Sequence, residues 1–470
     1  MPVPYAEYRP TGEVWCPEVP SGWSFVPARG LFREINDTEH PDDQMLSVTI
    51  ERGIIPQTKL LENSSKKDGS NLDRSKYKRV APGDIAYNKM RAWQGAFGLS
   101  AYQGIISPAY VVERPISGVG RYWHLLFRTA GFSKECERWS YGIASDMWSL
   151  RPEHFKGIHL PVPPMDEQRA IVKYLGHAHA RVDRAIASRR KLIALLEEHK
   201  QAVITQAVTK GLDPSVPMKD SGIPWVGVTP LGWTTRPLKD LAVVQSGVTL
   251  NSARPSTGGR DYPYLRVANV QAGRLELDEI TSIHLPAAEA ERYLLRPGDL
   301  LMTEGGDIDK LGRSAQWHGE IEDCLHQNHL FAVRCGSGMK PEFLSYVLAS
   351  SVGRVYFQRT GKQTTNLAST NKTTLGAFSL AVPSLAEQQA IVAHIDAKNA
   401  AADKAIAAYR RQIDLLTEYK QRLTSDVVTG QVDVREAAAA LPDLPLEDLP
   451  DASDLEAEAD DEVGLEDDED

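Results

Sequence analysis

The sequence predicts an α+β protein: two mixed α/β globular domains joined by two long helices that pair as an antiparallel coiled coil, with an internal pseudo-two-fold repeat. Three observations carry this. A segment of the chain recurs at a fixed offset, each copy has helical spacing of apolar residues, and the stretches between copies hold β-rich runs and turn signals.

The repeat is direct. Residues 160–209 align without a gap on 380–429, an offset of 220, and 22 of the 50 positions are identical. Val162-Pro163 recurs as Val382-Pro383, Glu167-Gln168 as Glu387-Gln388, and Ala170-Ile171-Val172 as Ala390-Ile391-Val392. A fainter echo precedes each copy: Trp15…Pro20-Ser21-Gly22-Trp23 returns as Trp225…Pro230-Leu231-Gly232-Trp233. The intervening stretches share little identity beyond a skeleton of Gly53 and Gly273, then Tyr77…Pro82-Gly83-Asp84 and Tyr293…Pro297-Gly298-Asp299. The expected order is a first globular domain at 1–159, a long helix at 160–212, a second globular domain at 213–379, a second helix at 380–432, and a disordered acidic tail at 433–470.

The helices are read from caps and periodicity. Ser384-Leu385-Ala386-Glu387 has capping-box form directly after Pro383. In the first copy Pro164 replaces the serine, and Asp166 is the expected cap. Ile171, Leu175, Val182, Ile186, Ile193, Leu196 and Val203 follow steps of three, four and seven, matched by Ile391, Ile395, Ala402, Ile406, Ile413, Leu416 and Leu423. Gly211 and Gly430 end the runs, so each rod would be roughly 65–70 Å at 1.5 Å per residue. One apolar stripe on one helix is an unsatisfied surface, so the copies are expected to pack on each other.

The globular segments are expected to be rich in strand. The runs 105–112 and 330–334 are β-branched and aromatic, Pro82-Gly83-Asp84 and Pro297-Gly298-Asp299 are turn signals, and 122–127 and 343–348 read as short helices.

Composition bounds the function. The chain has 42% hydrophobic and 25% charged residues, and no apolar run of membrane-spanning length, so no membrane association is expected. The N-terminus has no secretory pattern, and the four scattered cysteines suit reduced thiols, giving a cytoplasmic expectation. The net charge of −10 is uneven. Residues 436–470 hold 16 of the 63 acidic residues and no Lys or Arg, leaving 53 basic against 47 acidic residues before them. A mildly basic body is compatible with nucleic acid. The tail either competes with such a ligand or keeps the chain soluble.

Catalytic signatures are missing. Gly361-Lys362 is followed by Gln363, and Tyr356 stands where a P-loop needs glycine. There is no Asn/Asp-Pro-Pro-aromatic methyltransferase motif, and Gly53 occupies the position two after Glu51 where a metal-dependent nuclease needs lysine. His177 and His179 face different sides of a helix and are expected to be solvated surface rather than metal ligands, and Gly305-Gly306-Asp307 reads as a loop. The segment 65–70 is expected to be a mobile loop.

With this order of segments, the chain resembles the specificity subunit of type I restriction–modification systems. The motifs are Pro230-Leu231-Gly232-Trp233, Tyr264-Leu265-Arg266-Val267-Ala268-Asn269…Gly273, Tyr293…Gly298-Asp299-Leu300-Leu301, Gln327-Asn328 before a strand, and Pro-x-x-x-Glu-Gln opening each long helix. The resemblance implies a non-catalytic DNA-binding subunit whose two target-recognition domains each read one half of a bipartite double-stranded target. It implies two methyltransferase subunits and motor/endonuclease subunits as partners. No cofactor is expected on this chain, and S-adenosylmethionine, ATP and Mg2+ are expected in the partners. The competing readings are a stand-alone DNA-binding or methylation-guiding protein, and an enzyme with its site hidden in a globular segment.

Base readout needs polar side chains presented from rigid elements, while phosphate contacts supply affinity. In the first domain the candidate DNA-binding residues are Lys89, Arg91, Trp93 and Gln94, directly after an expected strand. In the second they are Arg266, then Glu304, Asp307, Lys310 and Arg313, and Lys362, Gln363 and Asn366. Each could equally be an ordinary solvated loop residue, and Trp93 could equally be a core anchor.

Overall fold

The computed structural model describes residues 3–50, 52–61, 74–142, 148–249, 259–306, 311–363 and 368–443. Residues 65–70 and Glu51 therefore lie outside the described residues. The chain divides into two compact units, Met1–Lys191 with Tyr409–Asp470, and Leu192–Ala408. The division cuts through both long helices, so each unit takes one globular segment and part of each helix.

In the first unit a four-stranded antiparallel sheet runs in the order Phe32–Ile35, Tyr110–Pro115, Ile85–Asn88, Phe97–Leu99. Alternation along the strand Tyr110–Pro115 sends Val111 into an aromatic core with Tyr87, Phe32, Phe127 and Phe155, and Val112 into a smaller core with Leu46, Ile54 and Ile106. The expected single run over 105–112 is split into Gly104–Ile106 and Tyr110–Pro115. Pro108 has no N–H for a ladder, and Tyr110 N closes a turn on Ser107 O at 3.0 Å. Helices Gly120–Phe127 and Ala130–Arg138 pack on the aromatic face.

The second unit repeats this order in Ala242–Ser246, Leu330–Cys335, Leu300–Thr303 and Ser314–Gln316. Val333 and Ala332 again enter opposite cores. The short helix expected at 343–348 is Pro341–Ala349. Both Pro-Gly-Asp turns carry a buried carboxylate. Asp84 accepts from Ala81 N at 2.9 Å and from Arg114 Nε and Nη2 at 2.7 and 2.9 Å. Asp299 accepts from Arg296 N at 2.9 Å and from Arg334 Nε and Nη2 at 2.7 and 2.6 Å. The shared skeleton is thus a bidentate ion pair that ties turn to central strand.

The long helices are Met165–Lys210 and Leu385–Val428. Each ends at a glycine in the left-handed region, Gly211 at φ 72° and Gly430 at φ 79°. Ser384 caps the second, its Oγ accepting from Glu387 N at 3.3 Å. The reciprocal half of the capping box does not form, because Glu387 Oε1 accepts instead from the Trp233 indole at 2.9 Å. In the first unit Trp23 donates to Glu167 Oε1 at 3.0 Å in the same way. Asp166 is not the first helix's cap. Pro164 O already accepts from Gln168 N at 2.9 Å, which places Asp166 inside the first turn, beside Arg169.

Pairing of the helices is antiparallel within each unit. In the first, His179 meets Thr424, Asp183 meets Lys420 and Arg189 meets Gln412, so partners fall in one helix as they rise in the other. In the second, Lys200 meets Asp403. The stripe is used unevenly. Ile171 and Leu175 enter the first core with Val427 and Val428, and Ile391 and Ile395 enter the second with Ile204 and Val208. Ile193, Leu196, Ile413 and Leu416 are only half-buried.

Two expectations need correction here. His179 is not solvated: its Nε2 lies 2.8 Å from Thr424 Oγ1, and its pKa is held down to about 3, by burial first and then by Lys420. His177 is half-buried, with its Nε2 3.0 Å from Pro442 O. The acidic tail is structured through Asp443. Asp433 N donates to Val3 O at 2.8 Å, Val434 and Ala438 are buried, and Asp443 pairs with Lys173 at 2.7 Å. Apolar side chains at 434 and 438, one helical turn apart, explain why this part folds.

Candidate nucleic-acid interface

In the first unit the strand Ile85–Asn88 delivers Lys89 to Gln94 at its end, as a turn followed by the 3-10 segment Ala92–Gln94. Asn88 Oδ1 accepts from Met90 N at 3.0 Å, and Lys89 O accepts from Leu150 N at 2.9 Å, which fixes the turn. Arg91 and Gln94 are exposed and Lys89 is half-buried. Trp93 is used differently: its indole donates to Met90 O at 3.0 Å, lies edge-on to Trp148 at 5.5 Å, and packs on the aromatic core. That makes it an anchor of the turn rather than a free stacking surface.

The same strand end gathers groups that the sequence did not single out. Lys78 Nζ donates to Tyr110 O at 3.0 Å. Burial lowers the Lys78 pKa, and the neighbouring Lys89 charge acts in the same direction. Burial raises the Tyr110 hydroxyl, opposed by Arg91 and by a hydrogen bond with Asn88. The signal available was the short basic run Lys78-Arg79 opening a strand.

In the second unit, two candidate segments that lie some 50 residues apart in the chain meet in one small sheet. Gly305–Gly306, Ala368–Ser369 and Lys362–Gln363 pair in the order first, second, third, with Gly305 opposite Ser369 and Lys362 opposite the same Ser369. Gly305-Gly306 and Lys362-Gln363 are therefore strand, not loop. Each is only two residues long and shows no periodicity, so sequence pattern could not mark it. Lys362 is exposed. Asp307, Lys310 and Asn366 lie outside the described residues, but the strand ends leading toward them stand side by side.

Around this sheet runs a polar rim. Glu304 N donates to His329 O at 3.0 Å, Thr370 N donates to Glu304 O at 2.8 Å, and His329 Nδ1 lies 2.7 Å from Glu304 Oε2. Arg313 Nη1 donates to Gln271 Oε1 at 3.3 Å. Arg266 N donates to Asn269 Oδ1 at 2.8 Å, and its buried Nε has no partner among the described residues. Gln327 N on Leu265 O, at 2.9 Å, brings the Gln327-Asn328-His329 segment beside Arg266. His329 was missed by sequence reasoning, although it follows directly on Gln327-Asn328.

Among the described residues no group of three or more His, Cys, Asp or Glu is placed to hold a metal ion, and no helix is long and apolar enough to cross a membrane. The described cysteines are unpaired, and burial pushes the Cys16, Cys324 and Cys335 thiols up to about 12.

Comparison with known proteins agrees with this architecture. The family profile described as "Type I restriction modification DNA specificity domain" matches residues 230–404. The specificity subunit of the StySPI type I restriction enzyme of Salmonella potsdam is 23% identical over 436 residues, covering 88% of this chain and 90% of that protein. The EcoKI specificity subunit of Escherichia coli (strain K12) is 24% identical over 337 residues, covering 69% of each chain. A chain solved in work on assembly and conformational transition of the type I R-M system superposes with a TM-score of 0.62 at 16% identity, covering 87% of this chain and 98% of that one.

Each unit carries the same four-strand order with its own polar side chains, and the class these comparisons support is a DNA-recognition specificity subunit. The chain is similar, over most of its length, to the specificity subunits of type I restriction–modification systems, and its residues 230–404 match the specificity-domain family.

Proposed function

We propose that each unit reads one half of a bipartite double-stranded DNA target, leaving the bases between the halves unread. The observation that carries this is the repetition of one frame under two different surfaces. Both units have the same strand order and the same Trp–Glu anchor to a long helix, yet they present Lys89, Arg91 and Gln94 in one and Glu304, Arg313 and Lys362 in the other. A frame that is kept while its polar rim changes suits two sequence preferences.

Catalysis belongs, on this reading, to other subunits: two methyltransferase subunits seated on the helix pair and motor/endonuclease subunits that join them. S-adenosylmethionine, ATP and Mg2+ act there. The half-buried apolar positions on the helices, with Leu415 and Tyr419 exposed, suit such a seat.

The test is modular. Residues 225–379 are exchanged for the matching segment of a relative with a different target, and methylated adenines are mapped genome-wide in cells holding the whole system. One half of the methylated motif should change and the other should stay. A change in both halves, or in neither, would overturn the reading.

A further inference from the structure

We propose that His329 is a base-reading residue of the second unit, with Glu304 as the positioning residue that sets its hydrogen-bonding sense. This rests on the DNA-reading function above. Glu304 and His329 are continuations of two paired strands, Leu300–Thr303 and Leu330–Cys335, where Thr303 stands opposite Leu330. Their main chains are joined by Glu304 N on His329 O at 3.0 Å, and Thr370 N holds Glu304 O at 2.8 Å. The pair is therefore carried on the rigid sheet, as precise recognition requires.

The side chains settle the chemistry. An ionised carboxylate only accepts, so the imidazole nitrogen 2.7 Å from Glu304 Oε2, Nδ1, carries the hydrogen. In the neutral ring Nε2 then bears the lone pair and is an acceptor. Its neighbour is Asn328 Nδ2 at 3.5 Å, too long for a strong bond and easily replaced by a shorter one. The His329 side chain is 56% exposed against 30% for Glu304, so the ring projects while its partner sits behind it. A held acceptor on an exposed rim matches the exocyclic amino group that adenine or cytosine shows in the major groove.

The experiment uses the full chain with its methyltransferase partners. Wild-type complex first selects its motif from a pool of randomised duplexes, and the 225–379 exchange assigns one half-site to the second unit. Within that half-site, each adenine is replaced by purine and each cytosine by 2-pyrimidinone, which lack the amino group. At one position, loss of the amine should weaken wild-type binding about fivefold or more, the lower range for a specific base contact. The His329→Ala complex should be indifferent to that same change, and Glu304→Gln should show a reduced response. The purine and pyrimidinone arms tell adenine from cytosine. If His329→Ala lowers the melting temperature, His329→Phe, which keeps a ring and removes both nitrogens, carries the comparison.

Amine sensitivity that is unchanged in these variants at every position would overturn the assignment. So would an equal loss of binding to all sequences, which would make His329 a phosphate contact. A wild-type complex that selects no motif would instead sink the DNA-reading function itself.

Discussion

Asp183 of the first long helix accepts from Lys420 of the second at 2.6 and 2.8 Å, and this pair occurs twice in the protein. Lys200 donates to Asp403 at 2.5 Å, and Asp403 and Lys200 stand 220 positions from Asp183 and Lys420. Two copies of one helix can exchange the same pair in this manner only if they run antiparallel. A parallel pair would set Asp183 near Asp403 and Lys200 near Lys420, two repulsions in place of two attractions.

The two copies should differ in strength. The side chains of Lys420 and Asp183 are 18% and 16% exposed, whereas Asp403 is 57% exposed and Lys200 also reaches Glu197 at 3.4 Å. Asp183→Asn strands a partly buried ammonium and should cost about 1–3 kcal/mol, while Asp403→Asn should cost under about 1 kcal/mol. Melting temperatures check this, at roughly 2–4 °C per kcal/mol for units of this size. Equal effects would show that burial does not set the strength of these pairs.

A pH dependence should come from Glu113, on the central strand of the first unit. It is 0% exposed, neither carboxylate oxygen has a hydrogen-bond partner among the described residues, and Glu34 stands opposite on the neighbouring strand. Burial raises its pKa to about 7, against the pull of Lys156 and Lys78. Between its ordinary value and about 7 the folded protein holds a proton that the unfolded chain has released. Stability should therefore fall as pH rises through that window and level off above it. Glu113→Gln should gain up to about 3 kcal/mol at pH 8 and little at pH 5. Melting curves with the same pH slope for wild type and variant would exclude Glu113 as the source.

Two truncations separate the tail's roles. Ending the chain after Asp443 should leave melting unchanged, and any gain in DNA affinity should shrink at high salt. Ending it after Val432 removes buried Val434 and Ala438 and the Arg435 guanidinium that lies 5.2 Å from the Tyr5 ring. That should cost about 2–4 kcal/mol. A shorter chain as stable as the full one would mean that this segment contributes no packing.

Much of the frame is local and therefore legible. The two long helices follow from steps of three, four and seven between apolar residues, from Ser384 at one start and from Gly211 and Gly430 at the ends. The Pro-Gly-Asp turns, the helices near 122 and 343 and the internal repeat likewise depend on neighbours a few residues apart, or on plain identity.

The site was less legible. Lys89 to Gln94 do stand at a strand end, but Trp93 turns inward because Met90 O and Trp148 take it up. Glu387 completes a capping box in sequence and serves the Trp233 indole in the fold, since that donor needs an acceptor at the helix start. Gly305-Gly306 and Lys362-Gln363 become one sheet through Ala368–Ser369, and His329 gains its orientation from Glu304, 25 positions away. The sequence by itself determined which segments are helix, turn and strand frame, because propensity and periodicity act over a few residues. Only the tertiary structure decided which polar groups meet, because a hydrogen bond between distant residues forms after packing has closed the chain between them and leaves no spacing rule behind.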